Sequence, residues 1–225
     1  MPHKIRALIF DLDNTLLNYY VFKRAASRAA VAAMIKHGLQ ADRKKSEQIM
    51  WDLYYEYGFE YRGIFQEFLK KVGHDPNDLK MVSSAIVAYR DARSHALRAY
   101  PSVRPTLHAL KKRGYKLCIV TDAPSLKAWV RLASAGLEDE FDTVITRDDT
   151  GELKKTGKPL AFALRSLGRK PEEVMVIGDS GSSDIAPARA LGIATAMAMY
   201  GRRKPPSVRA DHELKSIRDL LRICK

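Results

Sequence analysis

The sequence of 225 residues predicts an α/β protein, in which a Rossmann-like parallel sheet forms the core and an all-helical cap is inserted into it. Three observations lead to this fold class. An apolar run near the start, Ala7 to Phe10, has the composition of a buried strand. Residues 18–98 carry helical patterns. From about Pro101 onward helical and strand patterns alternate, which is typical of a parallel sheet with crossover helices.

The opening strand runs directly into an acidic turn, within the segment "ALIFDLDNTLLN". Side chains on an extended chain repeat every second residue, so Asp11 and Asp13 start out on the same side of the backbone. Two neighbouring carboxylates repel each other unless a cation, a shared proton or a positively charged group compensates them. Such compensation is a property of catalytic sites, and we therefore predict one at this strand end.

The segment after this strand is rich in helix signals. Pro76 is its only proline, and helical patterns follow one another in "FKRAASRAAVAAMIKHGL", "GIFQEFLKKVG" and "DLKMVSSAIVAYRDARSHALRAY". A lone strand cannot bury both of its faces, so the opening strand belongs with the later strands and the helical block is an insertion. We expect a core domain of residues 1–17 and 99–225 and a helical cap domain of residues 18–98.

Four further strands are predicted after the helical block, in "YKLCIV", "TVIT", "EVMVIG" and "IATAMAM". The carboxyl ends of parallel strands meet at one edge of a sheet, where loops and helix N-termini converge on ligands. Polar groups follow three of these strands. They are Thr121 and Asp122, the basic loop "GELKKTGKP", and the segment "GDSGSSD" with Asp179 and Asp184.

The formal net charge of +13 raises the hypothesis of nucleic-acid binding, because clustered Lys and Arg bind phosphate backbones. The positive charge is spread along the chain, which argues against it. Residues 18–98 hold 14 basic and 9 acidic residues, an excess of 5 that leaves 8 for the remainder. We interpret the densest basic run, "GRRKPPSVR" from Gly201, as a solvated loop. A basic surface also attracts a small phosphorylated substrate, which is the partner we expect.

Other features of the sequence predict a cytoplasmic location and no membrane partner. No apolar segment approaches the roughly 20 residues that cross a bilayer. The start, "MPHKIRALIFD", reaches a charged strand end too early for a signal peptide. Only Cys118 and Cys224 are present, so no disulfide framework is predicted. The oligomeric state stays open.

Taken in order, "DLDNT", "VTDAP", "GELKKTGKP" and "GDSGSSDI" resemble the four motifs of the haloacid dehalogenase (HAD) superfamily, in its phosphatase branch with a helical cap between the first and second motifs. The resemblance covers nearly all of residues 1–17 and 99–225. It implies a phosphatase that hydrolyses a small phosphorylated metabolite. The candidates are a triose or sugar phosphate such as glyceraldehyde 3-phosphate, phosphoglycolate, or a nucleoside monophosphate.

The resemblance also implies roles for the acidic residues. Asp11 is the expected nucleophile, which forms an aspartyl-phosphate, and Asp13 is the expected general acid and base. Mg2+ is the implied cofactor, because several carboxylates and a phosphate require a hard cation with oxygen ligands. Asp11 and Asp179 are implied as side-chain ligands and Asp13 as a ligand through its backbone carbonyl. Asp184 is implied as a ligand or an outer-shell partner.

The second and third motifs supply the residues expected to bind substrate. Thr121 and Asp122 belong to the second motif, and the Thr121 hydroxyl is suited to bind a phosphoryl oxygen. The third motif needs a lysine, and Lys154, Lys155 and Lys158 compete for this role. Lys158 precedes a proline, as the family's lysine often does. The family's usual interval to the "GD" pair falls on Lys154, which we favour.

Three alternative functions stay open. A 2-haloacid dehalogenase and a phosphomutase belong to the same superfamily, and a non-catalytic phosphate-binding or nucleic-acid-binding protein represents another class. Asp13 favours phosphate chemistry, because dehalogenases do not use a second aspartate as an acid for a leaving alkoxide. The sequence does not separate a phosphatase from a phosphomutase, and it does not identify the cap residues that set specificity. The presence of every expected catalytic group argues against a protein that only binds.

Overall fold

A six-stranded parallel sheet organises the larger part of the chain in a computed structural model, which describes residues 5–202, 205 and 208–225. The strands are β1 (Ala7–Phe10), β2 (Lys116–Val120), β3 (Thr143–Ile145), β4 (Val174–Gly178), β5 (Ala194–Ala198) and β6 (His212–Leu214). Their order in the sheet is β3-β2-β1-β4-β5-β6, and every neighbouring pair is parallel. This sheet with its helices confirms the predicted α/β class.

The chain forms two compact units. The sheet unit consists of Met1–Asn18 and Arg98–Lys225, and the helical unit consists of Tyr19–Leu97. Residues 1–4, 203, 204, 206 and 207 lie outside the described part of the chain. The basic run from Gly201 falls partly on these residues, so its interpretation as a solvated loop stays a prediction there. At its start the interpretation does not hold, because Gly201 is buried and Arg202 is only partly exposed.

The helical unit contains four helices. They are α1 (Tyr19–Lys36), α2 (Arg43–Tyr57), α3 (Ile64–Lys71) and α4 (Leu79–Ala96). The predicted helical patterns correspond to all of them except α2. The first turn of α2 holds basic residues and no acidic one, an arrangement that opposes the helix dipole. The N-cap compensates, because the side chain of Asp42 accepts a hydrogen bond of 2.8 Å from the backbone N–H of Lys45.

All four helices of this unit contribute to one hydrophobic core. Met34, Met50, Phe68 and Met81 come from the four helices in turn, and each is almost completely buried. Burial of such side chains, each worth about 1.5–3 kcal/mol, supplies the packing that short helices need in water.

The central strand of the sheet unit is β1. All four of its residues are buried, as expected for a strand that lacks polar alternation and is covered on both faces. It pairs with β2 on one side and with β4 on the other. Strands β2 and β3 lie on one side of β1, and the next strand in the sequence, β4, lies on the other side. This reversal opens a crevice at the carboxyl ends of β1 and β4, the usual ligand position in open parallel sheets.

Six helices belong to the sheet unit in the described residues. They are α5 (Val103–Lys112), α6 (Ser125–Ala135), α7 (Arg147–Thr150), α8 (Lys158–Leu167), α9 (Ala186–Ala190) and α10 (Leu220–Ile223). Helices α8 and α9 pack on the sheet through Leu160, Ala163 and Ala188, which form one cluster with Ile9 and Val176. No helix in the described ranges is long and apolar enough to cross a membrane.

The sixth strand was not predicted from the sequence. β6 has only three residues, of which His212 and Glu213 are exposed, so no apolar run marks it. A side chain next to the strand helps to attach it to the sheet. Asp211 accepts hydrogen bonds of 2.8 and 2.7 Å from the backbone N–H and the hydroxyl of Thr195 on β5.

We expect Phe68→Ala to lower the free energy of unfolding of the helical unit by about 3–5 kcal/mol, because the substitution leaves a cavity in its core. Urea unfolding followed by circular dichroism measures the change. Val87→Ala is the matched control, since Val87 on α4 is 68% exposed. Equal losses for the two variants would contradict the assignment of Phe68 to the core.

Candidate active site

Three carboxylates meet at the carboxyl edge of the sheet. Asp11 directly follows β1, Asp179 directly follows β4, and Asp184 lies in the π-helical turn Gly181–Ile185. One carboxylate oxygen from each of the three lies within 4.8 Å of the others. The topology thus brings together residues that are more than 160 positions apart in the sequence.

A lysine ammonium group lies among these carboxylates. Lys154 begins the 3-10 turn Lys154–Thr156, and its Nζ donates hydrogen bonds to Asp11 Oδ1 and, at 2.6 Å, to Asp184 Oδ1. Its side chain is only 6% exposed. The other two candidate lysines are exposed, and Lys158 Nζ is bonded to Glu152 at 2.6 Å. Among the three candidates in the third motif, Lys154 is therefore the one that contacts the acidic cluster.

The second motif supports this lysine. The carboxylate of Asp122 accepts a hydrogen bond of 2.7 Å from the backbone N–H of Lys154, so it fixes the turn from which the ammonium group extends. Thr121 is buried after β2, and its backbone N–H donates to Ile145 O at 2.9 Å. Its hydroxyl oxygen accepts from the N–H of Ala123 at 3.2 Å. Sequence reasoning placed Asp122 in the site but did not anticipate its bond to the third motif.

The position of Asp184 depends on the presence of glycine at position 178. A Cβ atom on Gly178, the last residue of β4, would lie 2.3 Å from the Asp184 carboxyl carbon, so only glycine leaves room for this carboxylate. The backbone N–H of Ser180 donates to Asp184 Oδ2 at 2.9 Å. Asp184 is 1% exposed and is thus held on one side by a backbone donor and on the other by Lys154.

The 3-10 turn Met199–Gly201 directly follows β5 and, together with Arg202, contacts the loops that carry Asp11 and Asp179. Asn14 has a left-handed backbone, with φ of 61°. A Cβ atom added to Gly201 would lie 1.6 Å from the carbonyl oxygen of Asn14, so the two loops approach each other closely. Tyr200 donates its hydroxyl hydrogen to the carbonyl of Thr15 at 2.8 Å. Arg202 donates to the backbone carbonyl of Asp179. Sequence reasoning missed this turn, although the Tyr-Gly pair after an apolar strand is a visible signal.

Asp13 lies next to the cluster but has a cationic partner of its own. Its carboxylate oxygen Oδ2 is 2.5 Å from a guanidinium nitrogen of Arg131 on α6. Asp11 is contacted instead by Lys154 and by the Thr15 hydroxyl, which donates to Asp11 Oδ2 at 3.1 Å. The two carboxylates of the first motif therefore have different partners, and Arg131 was not among the predicted residues.

The cluster carries more negative charge than its lysine compensates. Burial raises the pKa of the Asp11 carboxyl well above its usual range; Lys154 counteracts this increase, while Asp184 and Asp179 add to it. Burial and the charge of Asp184 raise the pKa of Asp179 to about 7. Burial alone would lower the pKa of Lys154, but the charges of Asp11 and Asp184 raise it, so this lysine stays protonated. Lys154 and Arg202 both act to lower the pKa of Asp179, yet burial and the charge of Asp184 outweigh them.

The donor set of this cluster fits a hard divalent cation. Its ligands are carboxylate oxygens, which Mg2+ prefers, and a further positive charge would offset the remaining repulsion. The carboxylates with raised pKa values bind a proton in place of a cation, so the two compete.

A protein-family model described as haloacid dehalogenase-like hydrolase matches residues 5–192. This range includes every residue predicted for the site.

Similar proteins were found by sequence and by structure. Glyceraldehyde 3-phosphate phosphatase of Methanocaldococcus jannaschii is 33% identical over 98% of this chain and 97% of its own length. The protein of the same name from Methanopyrus kandleri is 34% identical over 93% of this chain and 91% of its own length. The crystal structure of the HAD phosphatase from Thermococcus onnurineus matches 97% of both chains with a TM-score of 0.72 and 26% identity.

We expect Asp179→Asn to stabilise the metal-free protein at pH 8. The raised pKa of Asp179 means that folding disfavours its ionised form, and this destabilisation fades as the pH falls from about 7 towards 4. Asparagine removes the charge at every pH. In EDTA the variant should melt higher than the parent protein by several degrees at pH 8, at about 2–4 °C per kcal/mol, and by less at pH 5.

Thermal melts with EDTA and with Mg2+ test this expectation, and Asp139→Asn makes the same charge change at an exposed position of the sheet unit. Mg2+ should raise the melting temperature of the parent protein more than that of Asp179→Asn. A lower melting temperature for Asp179→Asn at pH 8 in EDTA would contradict the account of charge repulsion.

Proposed function

This chain belongs to the haloacid dehalogenase-like hydrolase family, and on that premise we propose that it hydrolyses a small phosphate monoester in two steps through Asp11. It is a phosphatase of this family, as its relatives are. The observation that carries the proposal is the buried ammonium group of Lys154, bonded both to Asp11 and to Asp184. It holds the nucleophile in place and adds positive charge where a phosphoryl dianion would enter.

In the first step a carboxylate oxygen of Asp11 attacks phosphorus, and the bond from phosphorus to the substrate oxygen breaks. The product is an aspartyl-phosphate on Asp11. Thr15 and Lys154 orient the Asp11 carboxylate through its two oxygens, so the attacking group does not rotate freely. The buried Thr121 is the neighbour that we assign to a phosphoryl oxygen, and Asp122 keeps Lys154 in position.

Asp13 is proposed to move the protons. It gives a proton to the leaving alkoxide in the first step, and in the second step it takes one from the water that attacks phosphorus. The second step breaks the bond between Asp11 and phosphorus, releases inorganic phosphate and restores both carboxyl groups. Asp13 is bonded to Arg131, whereas Asp11 is bonded to Lys154, so the two carboxyl groups lie in different environments.

Mg2+ is the proposed cofactor, as HAD hydrolases generally use it. Asp11 and Asp179 would hold it through their side chains and Asp13 through its backbone carbonyl, with Asp184 as a ligand or an outer-shell partner. When bound, the ion neutralises charge on the phosphoryl group and favours attack at phosphorus. The buried carboxylates support this proposal, because the pKa values of Asp11 and Asp179 stay raised despite the neighbouring cations.

Glyceraldehyde 3-phosphate is the proposed substrate, and phosphoglycolate and nucleoside monophosphates are the alternatives. Two relatives that cover most of the chain carry this substrate in their names. The net charge of +13 favours any small anion. We further propose that residues 1–17 and 99–225 carry the chemistry, while the helical residues 18–98 act as a cap that restricts the substrates.

We expect Asp11→Asn to reduce hydrolysis of para-nitrophenyl phosphate by at least about 10³-fold, because asparagine keeps the shape of the residue but removes the nucleophile. Release of para-nitrophenol is measured with Mg2+ and with EDTA. EDTA should abolish turnover by the parent protein, and added Mg2+ should restore it.

Asp139→Asn serves again as the charge-matched control and should retain full activity. Turnover that persists in Asp11→Asn would contradict the nucleophile assignment. Release of halide from 2-chloropropionate in place of phosphate release would instead support the dehalogenase alternative.

We expect glyceraldehyde 3-phosphate to give the highest kcat/KM in a panel with phosphoglycolate, AMP and glucose 1-phosphate. Inorganic phosphate is measured for all four under the same conditions. A kcat/KM for another member that is about tenfold higher would overturn this substrate while leaving the phosphatase mechanism intact. Conversion of glucose 1-phosphate to glucose 6-phosphate without phosphate release would indicate a phosphomutase.

A further inference from the structure

Helix α6 carries an arginine on the face that it buries. The buried residues of this helix are Ala128, Arg131 and Leu132, and Arg131 is only 5% exposed. Spacings of three and four residues define the inward face of an amphipathic helix, so position 131 would ordinarily be apolar. Removing a guanidinium group from water costs several kcal/mol unless it is well paired. The helix tolerates this cost at one position, which points to a role other than packing.

Arg131 is bonded to the second aspartate of the first motif. A guanidinium nitrogen of Arg131 donates to Asp13 Oδ2 at 2.5 Å, so the two groups form a charge-assisted hydrogen bond. The Asp13 side chain is 24% exposed, so its carboxyl group is bonded to a buried arginine and is still accessible to solvent. The adjacent Asn14, with its left-handed backbone, turns the chain at this point.

We propose that Arg131 is a positioning residue, which holds the Asp13 carboxyl group in line with the oxygen that must receive or lose a proton. The inference rests on the proposed function, in which Asp13 is the acid and base. Arg131 touches neither the phosphoryl group nor the nucleophile in this role. The guanidinium group remains protonated throughout, so the proton passes only between Asp13 and the substrate oxygen or the water.

The role of Arg131 predicts a dependence on the leaving group. An alkyl phosphate leaves as a strongly basic alkoxide and needs a proton in the transition state, whereas para-nitrophenolate is weakly basic and leaves without one. Loss of positioning should therefore slow the hydrolysis of an alkyl phosphate much more than that of para-nitrophenyl phosphate. A merely structural loss would slow both substrates alike.

The test compares Arg131→Met, Arg131→Lys and the parent protein on glyceraldehyde 3-phosphate and on para-nitrophenyl phosphate, with Mg2+ present. General acid catalysis contributes about 10²–10⁴-fold, so we expect Arg131→Met to lower kcat for the alkyl phosphate by about 10²-fold and for the aryl phosphate by only about threefold. KM should change little. Arg131→Lys keeps the charge and should recover part of the alkyl rate.

Arg104→Met is the matched control, because Arg104 forms an ion pair of 3.2 Å with Glu140 in the same unit and its side chain is 62% exposed. It should leave both rates unchanged. Should Arg131→Met fail to fold, Arg131→Gln, which also removes the charge, is measured in its place, and the same ratio of alkyl to aryl rates decides the question. Equal losses on the two substrates in a folded variant would overturn the inference.

A double-mutant cycle with Asp13→Asn separates this inference from the proposed function. If Arg131 acts through Asp13, adding Arg131→Met to the Asp13→Asn variant should lower kcat for the alkyl phosphate only slightly further. If it lowers kcat by as much as in the parent protein, Arg131 acts elsewhere and the inference is overturned. If Asp13→Asn is slow on the alkyl phosphate and Arg131→Met is not, only this inference fails. If Asp13→Asn keeps the parent rate, the assignment of Asp13 as acid fails, and the inference fails with it.

Discussion

Repulsion among carboxylates at the edge of the sheet is the constraint that shapes the rest of this site. Asp11, Asp179 and Asp184 lie together at the edge of a buried sheet, and Lys154 supplies one positive charge among them. An apolar interior would not tolerate such a cluster without fixed partners. The neighbouring residues meet this requirement: Asp122 fixes the turn of Lys154, Ser180 donates to Asp184, and Gly178 leaves the space that Asp184 occupies.

The same repulsion links stability to function. Burial and like charges raise the pKa values of Asp11 and Asp179, which means that the ionised, cation-binding form of the site works against folding. A protein selected for stability alone would replace one of these carboxylates by a neutral residue. The ligands proposed above would account for the cluster: a cation would offset the repulsion among the carboxylates, and Lys154 would bind the phosphoryl dianion.

Part of this site was predicted from local rules and part from a resemblance. The strand end with its two alternating carboxylates indicated Asp11 and Asp13, whereas the resemblance to the HAD motifs implied the roles of Asp179, Asp184 and Lys154. The supports could not be predicted in this way. Three supporting contacts depend on which loops approach each other in three dimensions. They are those of Arg131 with Asp13, of Tyr200 with Thr15 and of Asp122 with Lys154. β6 was missed for a different reason, since two of its three residues are polar and exposed.

The two aspartates of the first motif lie at one strand end but in different environments. Their spacing predicts a repelling pair on one side of the backbone, yet the structure gives each its own cation. Asp11 is buried, and both of its oxygens are bonded, which suits a nucleophile that must keep one geometry. Asp13 is partly exposed and bonded from the side of α6, which suits a group that must meet substrate and water in turn. Because Lys154 and Arg131 come from different segments, the environment of Asp11 can change without changing that of Asp13. In the proposed mechanism, this separation would let one short motif supply both the nucleophile and the acid.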